Sequence, residues 1–237
     1  MKQYIRLMGT WLLLLLPYFS FSQYHYCVEG EFDNKLLGDV HPYSFKDGDT
    51  ITMELLNSRQ CYTTIIKDGH FKFEGEVATP AVASIVLSKK MGTKILIDSS
   101  KYVCTFFQEK LANNKVGYDV KVVTTSFFHN LWVTLAQKQG ALGKKQRELQ
   151  ELIANSESGY QKNVYKEEWE TVNKSLSDLY YQASVTYKGT YEMTYILQSA
   201  PDLTYDRYIH YYNELPEAIK KSFYGKRLYE KLMATKK

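Results

Sequence analysis

Apolar and polar residues alternate with a period of two from residue 23 to residue 125. The segment 70–77 shows this most clearly, because its apolar and polar residues would occupy opposite faces of a strand. The apolar face consists of Phe71, Phe73 and Val77, and the polar face of Lys72, Glu74 and Glu76. Asp68-Gly69 separates this segment from segment 60–67, and a two-residue Asp-Gly loop favours the type I′ turn of a β-hairpin. The pattern therefore predicts a hairpin with one buried face.

The rest of the segment 23–125 also predicts short strands. Asp47-Gly48 predicts a second turn, followed by a strand at 51–55. Further strands are predicted at 24–32, 83–88, 94–97, 102–107 and 118–125. Seven or eight short strands at this spacing are typical of a β-sandwich. We expect an antiparallel β-sandwich domain over residues 23–125.

After residue 125 the apolar positions recur with a helical period. Ser126 can cap a helix, and the segment 146–153 continues the pattern, with Gly140 and Gly143 expected to break or bend it. The apolar positions of its first part are Phe128, Leu131 and Leu135. A loop is expected at 155–159.

The remaining sequence also predicts helices. A long helix is predicted at 164–187, with Val172, Leu176, Leu179 and Ala183 on one stripe. Shorter helices are predicted at 191–198, at 205–214 and from Pro216 to residue 231, with a stop at Ala200-Pro201. We expect an α-helical domain of four or five helices over residues 126–237, and an α+β fold for the whole chain.

The first 22 residues have the features of a secretory signal. Lys2 and Arg6 precede an apolar run, and the small residues Ser20 and Ser22 lie at positions −3 and −1 of a cut before Gln23. A membrane anchor is the alternative, but the uninterrupted apolar part is shorter than the about 20 residues that span a bilayer. We therefore expect a soluble exported chain in the periplasm or outer envelope, and not an integral membrane protein.

The charge balance argues against nucleic acid as a partner. Without the signal, 28 basic residues face 26 acidic ones, a net charge of +2. Nucleic-acid binding depends on many clustered basic contacts to phosphates. One local excess lies near the C-terminus, at Lys220, Lys221, Lys226, Arg227, Lys231, Lys236 and Lys237. Helix C-terminal dipoles explain it, with a surface-binding tail as the alternative.

The three cysteines, Cys27, Cys61 and Cys104, form no C-x-x-C pair. Their odd number permits at most one bridge and leaves one thiol over. Each lies in an apolar, strand-like run, where a lone cysteine is usually a small buried hydrophobe. The sequence leaves open whether two of them form a disulfide.

The sequence offers no candidate catalytic or metal-binding residue. The histidines are scattered, without the short spacings of metal sites, at His25, His41, His70, His129 and His210. Motifs for a nucleophilic serine, a P-loop and a dinucleotide are absent. The acidic groups Asp47/Asp49 and Glu167/Glu168/Glu170 are interpreted as turn residues and as the opening turn of a helix. We predict no catalytic, cofactor-binding or metal-binding residue, and no cofactor.

Tyrosine is abundant, with 21 residues in the chain. Helical spacing aligns Tyr180, Tyr181, Tyr187, Tyr191, Tyr195, Tyr205, Tyr208, Tyr211 and Tyr212. Packing between helices and between domains is the favoured interpretation. The alternative is an aromatic groove that binds a glycan or a peptide.

The order of these segments resembles a known family. The strand 50–56, the stretch KDGHFKFEGEV-x-x-P from Lys67 to Pro80, the strand Ile95-Leu96-Ile97-Asp98 and the transition at 124–131 resemble Bacteroidota domain of unknown function 4369. The segment 215–226 is similar to the end of its helical part. In that family a thioredoxin-like domain with a redox-active C-x-x-C often follows.

The resemblance implies the non-catalytic front half of an exported thiol-disulfide oxidoreductase, here without the thioredoxin domain. It carries over no catalytic residue. We therefore expect a binding or interaction module that presents loops and a sheet edge to an unknown protein, peptide or glycan. The alternatives are an auxiliary that docks a separate thioredoxin-like protein, and a hydrolase whose catalytic residues converge from distant positions.

Overall fold

The computed structural model describes residues 23–33, 45–88, 91–110 and 116–236. The predicted signal segment 1–22 and His41 lie outside these ranges. Within these ranges, eight strands in two sheets are followed by six α-helices, which confirms the α+β class and the order of strands before helices.

The strands form two four-stranded sheets. The strands are β1 (Tyr24–Asp33), β2 (Thr50–Leu55), β3 (Gln60–Ile65), β4 (His70–Val77), β5 (Ala81–Ser88), β6 (Met91–Ile97), β7 (Lys101–Lys110) and β8 (Val116–Thr124). Sheet A has the order β4-β1-β7-β8 and sheet B the order β3-β2-β5-β6. The β1–β7 pair is parallel, with Val28 opposite Tyr102, whereas every other pair is antiparallel. A parallel pair requires a long crossover, and between β1 and β7 the chain forms β2, β3, β5 and β6 in sheet B and β4 in sheet A.

The Asp68-Gly69 turn forms as predicted, but its two arms do not form a hairpin. Asp68 and Gly69 have φ values of 52° and 73°, the left-handed conformation that a type I′ turn requires. Only Lys67 and His70 pair across the turn, after which β3 joins sheet B and β4 joins sheet A. The hairpin prediction is therefore wrong beyond the turn, because the arms form a corner between the sheets.

The space between the sheets holds the first core. Its fully buried residues include Tyr26, Val28, Ile51, Met53, Ile85, Ile95 and Phe106. Phe71, Phe73 and Val77 of β4 are buried as the alternation predicts, and the polar residues between them are exposed. The period of two therefore identifies the buried face correctly, although it does not identify the partner strand.

The helices follow in one continuous segment. They are α1 (Phe127–Asn155), α2 (Gly159–Thr186), α3 (Tyr191–Ile196), α4 (Tyr205–Asn213), α5 (Glu217–Lys221) and α6 (Phe223–Ala234), with a short 3-10 turn (Leu197–Ser199) after α3. None of the helices in the described ranges is long and apolar enough to cross a membrane.

Two helix predictions need correction. Gly140 and Gly143 do not break α1, because open space surrounds both residues and the helical hydrogen bonds continue through them. The last predicted helix divides at Ser222, whose extended backbone ends α5 and whose hydroxyl accepts the Gly225 N–H at 3.1 Å. Gly225 permits this division, since an added Cβ would lie 2.0 Å from the Ile219 carbonyl oxygen.

The helices pack on the outer face of sheet B and create a second core. Val82 of β5 and Leu96 of β6 are buried in it together with Tyr180, Tyr208 and Leu228. The buried amide of Val82 donates to the Tyr224 hydroxyl at 2.9 Å. The transition near residue 125 therefore separates strands from helices, while the second core joins the two parts.

Candidate functional site

The outer strands β6 and β8 flank the open side of the sandwich. On the opposite side the chain itself joins β3 to β4 through the Asp68-Gly69 corner. β6 pairs only with β5, and β8 only with β7, among the described strands. An outer strand has one row of main-chain hydrogen-bonding groups without a partner strand. The open side thus places two such rows on one cleft.

The first turn of α1 closes one end of this cleft. Ser126 caps the helix by accepting the His129 N–H at 3.1 Å, as the sequence predicts. The Leu96 N–H on the β6 edge donates to His129 Nδ1 at 3.2 Å. Asn130 Nδ2 donates to the Thr124 carbonyl oxygen on the β8 edge at 3.1 Å. Two consecutive helix residues therefore satisfy one group on each sheet edge.

His129 is a structural residue in this arrangement. Its side chain is buried, and its ring lies edge-on to Tyr102 and Trp132, with centroid distances of 5.8 and 6.0 Å. Because Nδ1 accepts a hydrogen bond, the neutral ring carries its proton on Nε2. Burial lowers the pKa of the His129 imidazole, and the nearby Asp98 carboxylate opposes this shift. The ring is therefore held in its neutral form.

Beyond this closed end the cleft has a volume of about 460 Å³. Its apolar lining includes Phe107, Val120, Val122 and Val133, and its polar lining includes Thr93, Lys94, Asp119, Lys121 and Gln137. Val120 and Val122 lie on β8, whereas Val133 lies on α1. This volume lies within the range of about 300–1,000 Å³ that ligand clefts have.

The main-chain groups of Val120 and Val122 point into the cleft. The Thr124 carbonyl bonds to Asn130 and therefore points away from β7. Main-chain direction alternates along a strand, so Val122 and Val120 share this orientation. The Val120 N–H confirms it, because it donates to Asp119 Oδ1 at 2.8 Å instead of to β7. β8 consequently offers an edge that a further strand can pair with.

Charged residues line the mouth of the cleft. Lys94 on β6 and Lys121 on β8 are exposed, and neither forms an ion pair in the described part of the chain. Asp119 is also exposed, and its carboxylate accepts only the neighbouring Val120 N–H among the described hydrogen bonds. These three side chains are therefore available to a ligand.

A polar cluster lies behind the closed end. The Ser126 hydroxyl donates to Asp98 Oδ2 at 2.5 Å, and the Tyr102 hydroxyl donates to the Leu96 carbonyl oxygen at 2.6 Å. Ser126, His129 and Asp98 are the residue types of a hydrolytic triad, but Ser126 bonds to the aspartate and not to the imidazole. A triad requires the imidazole to accept the serine proton. With Ser126 only 1% exposed, this cluster holds α1 on the sheets.

All three cysteines are free thiols. The expected burial is correct for Cys104 and wrong for Cys61, which is exposed because it lies on the outward face of the outer strand β3. Cys27 is half-buried. Burial raises the pKa of the Cys104 thiol to about 12 and also raises the pKa of Cys27. Both thiols are therefore poor nucleophiles.

The acidic residues considered in the sequence analysis do not form a catalytic pair in the fold. Asp47 accepts the N–H groups of Asp68 and Gly69, each at 2.9 Å, which lowers its pKa and stabilises the corner. The prediction for Glu167, Glu168 and Glu170 is wrong, because α2 begins at Gly159 and these residues lie about two turns into the helix. Among the described residues, no group of three or more His, Cys, Asp and Glu side chains could hold a metal ion.

The nine aligned tyrosines mostly pack between helices. Of the nine predicted to align, only Tyr181 is exposed, at 37%. Tyr208 donates to Asp202 Oδ1 at 3.2 Å, and Arg207 lies over the Tyr181 ring at 4.8 Å. These contacts support the interpretation that the tyrosines pack between helices, and not the alternative of an aromatic binding groove.

The C-terminal lysines fit the helix-dipole interpretation. Lys220 and Lys221 lie in the last turn of α5, and Lys231 lies in the last turn of α6. Lys231 Nζ also donates to the Gln198 carbonyl oxygen at 2.9 Å.

Two other concavities have similar volumes. One of about 410 Å³ lies by Ile65 and Phe71 at the corner between β3 and β4, and its charged residues Glu29 and Lys72 already pair with Lys101 and Glu74. The other, of about 460 Å³, lies between α1 and α2 beside Ile153 and Trp169. Helices satisfy their own main-chain groups, so that groove offers no sheet edge. The β6–β8 cleft combines an edge, an apolar lining and available charges.

Comparison of the chain with protein-family models, curated proteins and solved structures found no match.

Proposed function

We propose that this chain is an exported, non-catalytic interaction module that holds an extended polypeptide segment in the β6–β8 cleft. The observation that carries this proposal is the β8 edge at Val120 and Val122, whose main-chain groups face the cleft. Peptides that add a strand to a sheet edge gain affinity from main-chain hydrogen bonds and specificity from alternate side chains. The export step rests on the predicted signal segment 1–22.

The use of the reactive residue types supports a non-catalytic role. Asp98, Ser126 and His129 fasten α1 to the two sheets, and Asp47 fastens the corner. The resemblance to domain of unknown function 4369 points in the same direction, since that domain stands ahead of the redox domain and contributes no redox cysteine.

A peptide-display selection against the purified chain tests this function. The selected peptides are then measured on two variants, Val133→Arg and Val185→Arg. Val133 lines the cleft and is 38% exposed, whereas Val185 lies on α2 away from the cleft and is 57% exposed. We expect Val133→Arg to weaken binding at least about tenfold, because the long cation occupies the cleft. Val185→Arg should have no effect, and equal effects of both variants would contradict the proposal.

A second candidate is the docking of a separate thioredoxin-like protein. It is favoured by Cys61, an exposed thiol on β3 that a partner C-x-x-C could reach. In a thioredoxin variant that lacks its second active-site cysteine, the first cysteine is activated as a mixed disulfide with thionitrobenzoate. The Cys61 thiolate should then attack the active-site sulfur, form a disulfide between the two proteins and release thionitrobenzoate. Cys61→Ser should abolish the trapped species, whereas Cys104→Ser should not. Trapping that persists in Cys61→Ser would exclude direct exchange at this thiol.

A further inference from the structure

We infer that the segment held in the cleft is a single antiparallel strand of a partner protein with the pattern apolar–acidic–apolar–basic. This inference rests on the proposed function and specifies its ligand. It follows from the register that the β8 edge imposes, from the charges on that edge and from the wall that α1 forms opposite β8.

The register follows from the orientation of β8. An antiparallel partner runs in the opposite direction, so its residues meet Val122, Lys121, Val120 and Asp119 in that order from N- to C-terminus. The residues opposite Val122 and Val120 exchange main-chain hydrogen bonds with β8, because the groups of these two valines face the cleft. Their side chains share the face of the valine side chains and turn toward the sandwich interior.

The two apolar positions have a matching surface. Val120 and Val122 pack partly against the first core, and Val133 on α1, which lines the same cleft, is 38% exposed. Apolar side chains of the partner would cover these surfaces and remove them from water. A polar residue at either position would lose the free energy gained from burying apolar surface, and it would place a polar group among valines.

The two charged positions follow from the outward face of β8. The residue opposite Lys121 should be acidic, because this lysine is exposed and has no ion pair in the described residues. The residue opposite Asp119 should be basic. The Asp119 carboxylate would leave the Val120 N–H, which then donates to the partner main chain. Opposite charges directly across two strands are favourable and like charges unfavourable.

A second copy of the chain has the right sequence but does not fit the cleft. Its own Tyr118-Asp119-Val120-Lys121 is apolar–acidic–apolar–basic. In a second copy, however, β7 would follow β8 at a spacing of about 4.8 Å. Val133 and Gln137 of α1 line the same cleft, so we expect α1 to meet the β7 of a second copy. A single strand with nothing behind it therefore fits where a whole sheet does not.

Two peptides of identical composition and charge test the pattern on the full chain. The blocked peptide Thr-Val-Glu-Val-Lys-Val-Thr has the inferred order, and Thr-Val-Lys-Val-Glu-Val-Thr has the charges exchanged. We expect fluorescence anisotropy to show about tenfold tighter binding of the first peptide. Its Glu and Lys would attract Lys121 and Asp119, whereas the exchanged charges of the second peptide would be repelled by them. The double variant Asp119→Lys/Lys121→Asp should reverse this preference.

Backbone methylation tests the strand geometry independently. A methyl group on the central Val nitrogen removes a hydrogen bond to Val120 and should abolish measurable binding. A methyl group on the Glu nitrogen, which points away from β8, should weaken binding only a few-fold. Equal loss from both would overturn an antiparallel strand at this register.

The remaining outcomes separate the inference from the proposed function. Equal binding of both peptides, lost in Val133→Arg, would overturn the charge pattern and leave a polypeptide-binding cleft. Absence of binding by these and by all display-selected peptides would overturn both. Dimerisation in sedimentation that Lys121→Asp abolishes and the double variant restores would overturn the single-strand partner in favour of a second copy.

Discussion

The hydrogen bond from the Val82 amide to the Tyr224 hydroxyl joins the helices to sheet B, and its removal should cost measurable stability. In Tyr224→Phe the ring remains, with its contacts to Tyr195 and Phe223 at centroid distances of 5.2 and 5.1 Å. The Val82 amide, which is fully buried, loses its acceptor. Leaving a buried donor unsatisfied costs about 1–3 kcal/mol. We expect the free energy of unfolding to fall by that amount.

Urea unfolding followed by far-ultraviolet circular dichroism and by tryptophan fluorescence measures this change. Tyr229→Phe is the matched control, because Tyr229 lies on the same helix and is 42% exposed, so its loss should cost less than about 0.5 kcal/mol. Burial raises the pKa of Tyr224 to about 12, so the hydroxyl stays neutral and the difference should not change between pH 6 and 9. Equal stability of the two variants would refute the role of this hydrogen bond.

Three further predictions follow from the same packing. The folded chain holds His129 in its neutral form, so the free energy of unfolding should be highest above the unfolded pKa of about 6.5 and should fall as the pH decreases toward the lowered folded pKa. Free energies of unfolding measured from pH 5 to 8 should lose this slope in His129→Gln. A stability that rises on acidification would contradict the prediction. Gly225→Ala should destabilise the chain by about 1–3 kcal/mol, because the added Cβ would meet the Ile219 carbonyl oxygen. Gly140→Ala should stabilise it by about 0.5–1 kcal/mol, because the added Cβ would lie in open space within a helix. Thermal unfolding midpoints that shift in the same direction in both variants would count against this reasoning. Iodoacetamide should modify Cys61 in the native chain and leave Cys104 unmodified until unfolding, as mass spectrometry of timed samples would show; equal rates would argue against the burial difference.

The local sequence was sufficient where neighbouring residues decide the structure. The Asp68-Gly69 turn depends on two residues that tolerate positive φ, and the Ser126 cap depends on one side chain and an amide three residues later. The alternation along β4 likewise identifies its buried face. The α+β class and the position of the change near residue 125 follow from such patterns.

Only the tertiary structure determined which strands pair and which residues form the cleft. The arms of the Asp68-Gly69 turn belong to different sheets because β3 pairs with β2 and β4 pairs with β1. His129 and Asn130 look like ordinary polar residues in the sequence. They bind Leu96 and Thr124 only because β6 and β8 end beside the first turn of α1. Periodicity reports which face of an element is buried, whereas pairing and clefts depend on contacts between residues distant in the chain.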